Sequence, residues 1–366
     1  MADIYVGTAG YSYAHWRNGV FYPRVGVTQS QELRHYSGVF SAVEINSSFH
    51  AVPRKETLDN WASQVKSGGF VFCFKTPKEI THTKRLEGID DSWNYFLNRL
   101  MDSSLRQTAS ASFLGPILFQ LPPSLSKNLE KLEEVSRLLA ATSNVNNGIR
   151  VAFEFRHPSW YCDEVFASMR RHGFGLCENI SPDNSTLHCQ EVTASTWHYI
   201  RFHKRSGADR LQTNYTGEQL ASIADQLVER RQKNIAQYCF FLNDHDGNGP
   251  RNAQTLVNLV KERLKGPLVE TWKSEATTPS IKSLFSKISS SSKSPVTKSV
   301  TTTKSAASLS TLTATPIEEV KTKRSIDSFF SPGKTSSVKR PKIAESAKSN
   351  AKQKGHITNF FPKSTA

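Results

Sequence analysis

Eight short apolar stretches, none longer than a strand, recur through the first two-thirds of this chain and set what it can fold into. They cover residues 4–7, 42–46, 70–75, 116–121, 150–156, 173–178, 198–203 and 237–243. Segments with apolar residues at three- and four-residue spacing separate them, at 31–39, 56–65, 92–103, 129–141, 163–171, 217–231 and 252–264. Leu129, Leu132, Val135, Leu138 and Leu139 show the helical period. The link 180–196 alone lacks such a segment. Parallel neighbours need a crossover, usually a helix, rather than a tight turn. Eight such units within residues 4–264 predict a TIM-like (β/α)8 barrel. An open doubly wound sheet is the rival, but Gly7-Thr8-Ala9-Gly10-Tyr11 is not the G-x-G-x-x-G of its dinucleotide-binding form.

The stretch from Arg150 to Tyr161 is the most informative. Period-2 alternation puts Val151, Phe153 and Phe155 on one face and Ala152, Glu154 and Arg156 on the other, and Pro158 stops the strand. A carboxylate, a guanidinium and the His157 imidazole therefore crowd one strand end. The C-terminal strand ends of such barrels build active sites. Here they carry Glu44 and Asn46, Lys75, Gln120, Glu154 and Arg156, Glu178, Arg201 and His203, and Asn243 with Asp244. Equal parity predicts that Glu44, Glu154 and Glu178 converge with Lys75, Arg156 and Arg201 in one pocket. Cations there suit phosphate or carboxylate groups, which makes Lys75, Arg156, Arg201, Asn46, Gln120 and Asn243 the anion- and substrate-binding candidates. Glu154 is the expected acid/base, with Glu44, His157 and His203 as further catalytic candidates. A purely structural ion-pair network is the alternative.

His50, His82, His157, His203 and His245 fall at or just after strand ends and could, with Glu44, Glu154 and Asp244, hold a divalent metal. No H-x-H or H-E-x-x-H spacing backs this, so hydrogen-bonding histidines are the favoured reading and no metal is assigned. The run Asp244-His245-Asp246-Gly247 reads as a turn rather than a calcium loop. In the first strand-to-helix loop, Tyr11, Tyr13, Trp16, Phe21 and Tyr22 could stack on a base or sugar, which makes Tyr11 and Tyr13 substrate-binding candidates, or else pack as a lid.

The net charge of +15 would suggest a polyanion partner, but +12 of it lies from residue 273 onward, leaving +3 for residues 1–272. The body therefore needs no polyanion to explain it. Cys73, Cys162, Cys177, Cys189 and Cys239 form no C-x-x-C pair, which suits a reduced, intracellular protein. No apolar run approaches a membrane span, and a strand beginning near Ile4 leaves no room for a signal peptide, so no membrane partner is expected. From 273 to 366 the chain is rich in Ser, Thr, Lys and Ala, with apolar residues too sparse to offset ordering entropy; a disordered tail is expected.

The body resembles the domain-of-unknown-function-72 (YecE-like) family. The resemblance rests on Val6-Gly7-Thr8-Ala9-Gly10-Tyr11-Ser12-Tyr13, Phe21-Tyr22-Pro23, Val43-Glu44-Ile45-Asn46-Ser47-Ser48-Phe49 with Pro53, and Phe74-Lys75 with Thr81-His82. It continues through Phe119-Gln120-Leu121-Pro122-Pro123, Phe153-Glu154-Phe155-Arg156-His157-Pro158-Ser159-Trp160, Arg201-Phe202-His203 and Leu242-Asn243-Asp244 with Asn252-Ala253. It implies a TIM-like barrel and a pocket, but no particular reaction. Lys204 after His203, where the family usually has Gly, and Ala9 in place of a common Ser are departures.

Three tail segments share one spacing. The first is Ile281, Leu284 and Phe285, the second Ile326, Phe329 and Phe330, and the third Ile357, Phe360 and Phe361. They are similar to the PIP box, which docks an aliphatic and two aromatic side chains from one helical turn into a pocket of the sliding clamp, proliferating cell nuclear antigen. The first copy is the weaker match, because Leu284 stands where the motif has its first aromatic residue. Thr278, Lys323 and Lys354 stand in place of the leading Gln, so each site should be weak, and three copies could gain avidity on a three-subunit ring. The clusters Lys321-Thr322-Lys323-Arg324 and Lys339-Arg340-Pro341-Lys342 are of the kind read by the nuclear import machinery. These features together lead us to expect a nuclear enzyme, with the cytoplasm as a second location. Its expected target is DNA, or a nucleotide or other phosphorylated substrate, in repair or replication, by hydrolase or lyase chemistry. The alternatives are a small-molecule enzyme of sugar or phosphorylated-metabolite chemistry and a non-catalytic clamp-associated reader.

Overall fold

The computed structural model describes residues 2–269 apart from 66–68, 107–112, 146–147, 184–188, 190 and 205–213. The tail lies outside the described residues, and with it both basic clusters and all three clamp-motif copies: Ile281, Leu284 and Phe285; Ile326, Phe329 and Phe330; Ile357, Phe360 and Phe361. Eight strands form a closed parallel barrel in sequence order. They are β1 (Ile4–Ala9), β2 (Ala42–Ile45), β3 (Val71–Lys75), β4 (Leu114–Gln120), β5 (Val151–Glu154), β6 (Gly175–Ile180), β7 (Trp197–Phe202) and β8 (Ala236–Phe241). β8 returns to β1 with Ile4 opposite Gln237 and Thr8 opposite Phe241, so the sheet keeps no open edge. The predicted TIM-like barrel is therefore the fold.

Among the described residues seven helices cover it: α1 (Glu32–Val39), α2 (Lys55–Gln64), α3 (Asp90–Met101), α4 (Leu129–Val145), α5 (Asp163–His172), α6 (Gly217–Gln232) and α7 (Asn248–Leu264). Among the described residues β6 and β7 are joined without a helix, as the sequence pattern predicts. In α3, Trp93, Phe96, Leu97 and Leu100 repeat at helical spacing and are all buried, each contributing ~1.5–3 kcal/mol against exposure. α6 starts at a capping box, where Thr216 Oγ1 accepts from the Gln219 amide (3.2 Å) and Gln219 Oε1 accepts from the Thr216 amide (2.9 Å). After α7 the chain returns to the barrel, and the Ile4 amide donates to the Leu268 carbonyl (2.9 Å). No helix among the described residues is long and apolar enough to cross a membrane.

Strand alternation divides the apolar residues into two cores. Val6, Val43, Phe72, Phe119, Phe153 and Ile200 belong to the larger core beneath the helices. Ala42, Val71, Cys73, Leu118, Ala152, Cys177, Tyr199, Tyr238 and Phe240 fill the barrel itself. The floor is sealed by rings: Tyr5 stacks on Tyr238 at 5.0 Å, the Arg150 guanidinium lies over Tyr238 at 5.8 Å, and Trp197 meets Tyr238 edge-on. Gly175 makes room for that floor, since a Cβ there would fall 2.5 Å from the Trp197 ring. With the floor closed by these packed rings, Glu44, Glu154 and Arg201 collect at the opposite, C-terminal ends.

Candidate active site

Glu44 lies one residue before the end of β2, Glu154 ends β5 and Arg201 lies one residue before the end of β7; all three are buried. Their parity turns them into the barrel with the inner core, and Arg201 joins the two carboxylates. Its Nε and Nη2 donate to Glu44 Oε2 and Oε1 (3.1 and 2.9 Å), and its Nη1 donates to Glu154 Oε2. Tyr199, two residues earlier on the same face, donates its hydroxyl to Glu44 Oε2 (2.8 Å). Glu154 also accepts from Arg156 Nε (2.9 Å) and from Gln120 Nε2, 2.9 Å from each carboxylate oxygen. Burial alone would raise the Glu154 carboxyl, but the Arg201 and Arg156 charges hold it far below the usual carboxylate range. Glu154 is thus an ionised anchor for its neighbours, poorly suited to the acid/base role the sequence suggests for it.

Lys75 ends β3 in a different setting. Its Nζ donates to Gln120 Oε1 (2.6 Å) and lies 4.0 Å from the centroid of the Phe49 ring. Phe49 is brought there by the 3₁₀ turn Ser47–Phe49, pinned where the Ser48 hydroxyl faces the carbonyls of Ile45 (2.8 Å) and Lys75 (2.6 Å). Burial first, and then the Arg201 charge, lower the Lys75 ammonium to about 8, against the pull of Glu44 and Glu154. This is a proton-exchanging group close to neutral pH. Arg156 is the outermost cation, with its side chain 41% exposed while Glu154 is 1% exposed.

A profile for the protein of unknown function DUF72 matches residues 5–277. The chain belongs to the DUF72 family. It is 28% identical to the UPF0759 protein YecE of Escherichia coli over 158 residues, a segment covering 43% of this chain and half the length of YecE. It is 23% identical to the UPF0759 protein YunF of Bacillus subtilis over 283 residues, covering 72% of this chain and 96% of YunF. A crystal structure of a DUF72 protein from Thermotoga maritima superposes with a TM-score of 0.59 at 26% identity, covering 72% of this chain and 99% of that one. One from Enterococcus faecalis reaches 0.55 at 18% identity, covering 72% of this chain and 98% of that one, a likeness of fold.

In this DUF72 barrel His203 stands just beyond β7, with its Nε2 2.8 Å from Asn179 Oδ1. An amide oxygen only accepts, so Nε2 carries the proton and Nδ1 the lone pair. Burial lowers the imidazole to about 4, outweighing the opposing pull of Glu154, so the ring is neutral at pH 7. Asn46 begins the turn that carries Phe49, and its buried Oδ1 has no hydrogen-bond partner among the described residues.

Other candidates stand elsewhere. Glu178 is on the outer face of β6, where it accepts from Arg230 of α6 (2.8 Å) and lies 3.4 Å from His198. The polar residue β6 turns inward is its neighbour Asn179. His157 caps the 3₁₀ turn Pro158–Trp160, its Nδ1 accepting from the Ser159 amide (3.2 Å), and among the described residues it makes no hydrogen bond or ion pair with the network. Asn243 is buried past the end of β8, while Leu242 before it packs on the inner core. Tyr13 turns its hydroxyl back to the Ala9 carbonyl (2.5 Å) and packs on buried Trp16, whose Nε1 donates to Asp244. Tyr11 sits edge-on to Trp61, and its carbonyl accepts from Tyr22. These aromatics form a packed wall, fastened to the end of the neighbouring strand β8 by Asp244 and its 3.0 Å pairing with His15. Gly10 allows the loop to leave β1, combining a φ of +85° with a Tyr13 ring that a Cβ would strike.

Tyr199, Phe49 and Asn179 are residues the sequence reading does not place in the site, and His82 enters it only as a possible metal ligand. His82 rides a π-helical turn, Glu79–Thr83, edge-on to Phe49 at 4.9 Å, and burial together with the Lys75 and Arg156 charges lowers its imidazole. Such turns are frequent at functional sites. Among the described residues no group of three or more His, Cys, Asp or Glu side chains is arranged to hold a metal ion.

Proposed function

We propose that the barrel is an enzyme for a small phosphorylated or carboxylated substrate, of hydrolase or lyase type. The observation that carries this reading is the asymmetry of the strand ends. Arg201 is engaged by two buried carboxylates, while Arg156 reaches outward and Lys75 sits beside it without a carboxylate partner among the described residues. In this reading Arg156 holds the anion, Lys75 exchanges protons, and the buried, unpartnered Oδ1 of Asn46 accepts from a substrate hydroxyl that reaches it. The near-neutral body favours a small molecule or nucleotide over duplex DNA as the substrate.

The tail motifs support a second element of the proposal: nuclear import, and tethering of the barrel to the sliding clamp during replication or repair. The decisive experiment for the pocket is a thermal-shift and calorimetric screen of full-length protein with inorganic phosphate, ribose 5-phosphate and nucleoside monophosphates. Binding should weaken by ~10-fold or more in Arg156→Ala, the worth of one charge-assisted hydrogen bond. Absence of any anion-dependent shift would remove the reading.

A further inference from the structure

We propose that Lys75 is a nucleophilic amine, which condenses with the aldehyde or ketone of a small substrate whose phosphate or carboxylate is gripped by Arg156. This rests on the anion-binding reading proposed above and adds the bond that Lys75 would make.

Lys75 differs from its neighbours in what surrounds it. Arg156 and Arg201 each lie 2.9 Å from a carboxylate oxygen, whereas no carboxylate oxygen is recorded within 4.0 Å of Lys75 Nζ among the described residues. A half-buried ammonium with no carboxylate in contact is driven toward the free amine, the form that attacks carbonyl carbon.

The amine is also aimed. Glu154 takes the Gln120 amide nitrogen on both of its oxygens, which fixes the flip of that amide and leaves Oε1 facing Nζ at 2.6 Å. A neutral amine has two N–H bonds and one lone pair. With one N–H held by Gln120, the lone pair is directed away from the amide. The Phe49 ring, 4.0 Å away, blocks one side and offers its face to the cation of a protonated imine. Arg156 is bonded to the same Glu154 at 2.9 Å, so grip and amine are joined through Glu154 and Gln120.

The step balances without a further reagent. The Nζ lone pair forms the C–N bond as the carbonyl π pair moves to oxygen. A proton lost by nitrogen is gained by oxygen, giving a carbinolamine. Its hydroxyl takes a proton from solvent and leaves as water while the nitrogen lone pair forms C=N, giving the protonated imine, and hydrolysis adds that water back and returns the amine, the carbonyl and the proton. The lowered Lys75 value, about 8, supports this, because the neutral fraction at pH 7.5 is then ~200-fold above that of an ordinary lysine.

The test is reductive trapping. Full-length protein is mixed at pH 7.5 with D-glyceraldehyde 3-phosphate and sodium cyanoborohydride, and labelled lysines are mapped by peptide mass spectrometry. Lys75 should label saturably and ~30-fold or more faster than surface lysines, following its larger amine fraction. Inorganic phosphate should compete. Unphosphorylated glyceraldehyde should label Lys75 ~10-fold more slowly, having no anion for Arg156 to hold, and faster labelling by glyoxylate would assign a carboxylate instead. Gln120→Leu, which keeps Lys75, should slow labelling. Labelling spread over surface lysines with no preference for Lys75 would overturn the proposal, and this readout needs no variant that folds. Phosphate bound in calorimetry without Lys75 labelling sinks the imine and leaves the pocket reading intact. Lys75 labelling without phosphate binding does the reverse.

Discussion

Arg201→Met is the substitution with the clearest expected consequence. The guanidinium is 2% exposed and makes three hydrogen bonds to two carboxylates that are themselves 0% and 1% exposed. Methionine fills similar volume but leaves Glu44 and Glu154 buried around a missing cation. Breaking a buried pair from one side costs ~3–5 kcal/mol, and for a domain of this size ~2–4 °C of Tm accompanies each kcal/mol, so a loss of about 6–20 °C is expected. The pH dependence supplies a sign. In the wild type the Glu154 carboxyl is depressed, so its stabilising contribution is present above the ordinary glutamate value and is lost as the pH falls through the depressed one. In the variant a carboxyl without its arginine takes up a proton more readily folded than unfolded, so acid favours its folded form. The gap between wild type and Arg201→Met should therefore narrow from pH 7 toward pH 4. Thermal and urea melts at both pH values measure it. A loss under ~1 kcal/mol, or a gap that widens in acid, would refute the account of Arg201 as the charge that two carboxylates require.

The His203 ring should show nitrogen shifts of the Nε2–H form in ¹⁵N-resolved spectra and protonate with a midpoint near 4; a midpoint near 6.5 would mean that the ring is solvated. Gly175→Val should destabilise the barrel by ~1–3 kcal/mol in urea unfolding, since the new side chain must displace Trp197 from the floor. Tail peptides carrying Phe329→Ala plus Phe330→Ala, or Phe360→Ala plus Phe361→Ala, should lose clamp binding in calorimetry, and unchanged affinity would refute the motif assignment. The copy with Leu284 and Phe285 should bind more weakly than either, since Leu284 offers no ring to the pocket.

The barrel was legible because hydrophobic period and crossover length are local properties of the chain, and so were Glu44, Glu154 and Arg201 as a converging set. In β5 and β7 the polar residues share parity with small or aromatic inward neighbours, Ala152 and Tyr199, while bulky apolar residues fill the alternate positions. β6 carries no such cue. With Leu176 and Cys177 both apolar, either face could be the inner one, and the apolar run ends at Glu178 whereas the strand continues to Ile180. Asn179 was missed by that single residue. Tyr199 carries no signal of its own in the sequence, because its hydroxyl's partner lies on β2, remote along the chain. The acid/base assignment to Glu154 could not be judged from residue type, since the number of donors a carboxylate accepts from is a property of the assembled barrel.

The three charges joined at Arg201 come from β2, β5 and β7, so neither the first four strands nor the last four contain the whole set. A half-formed barrel would hold Glu44 without its guanidinium, or Arg201 without its bidentate partner, in surroundings that punish either. Assembly of this chain is thus tied to ring closure, and partially built forms carry an electrostatic handicap that the apolar layers alone would not impose. Cut in the connection between β4 and α4, its two pieces should be incompetent separately and recover the barrel when mixed.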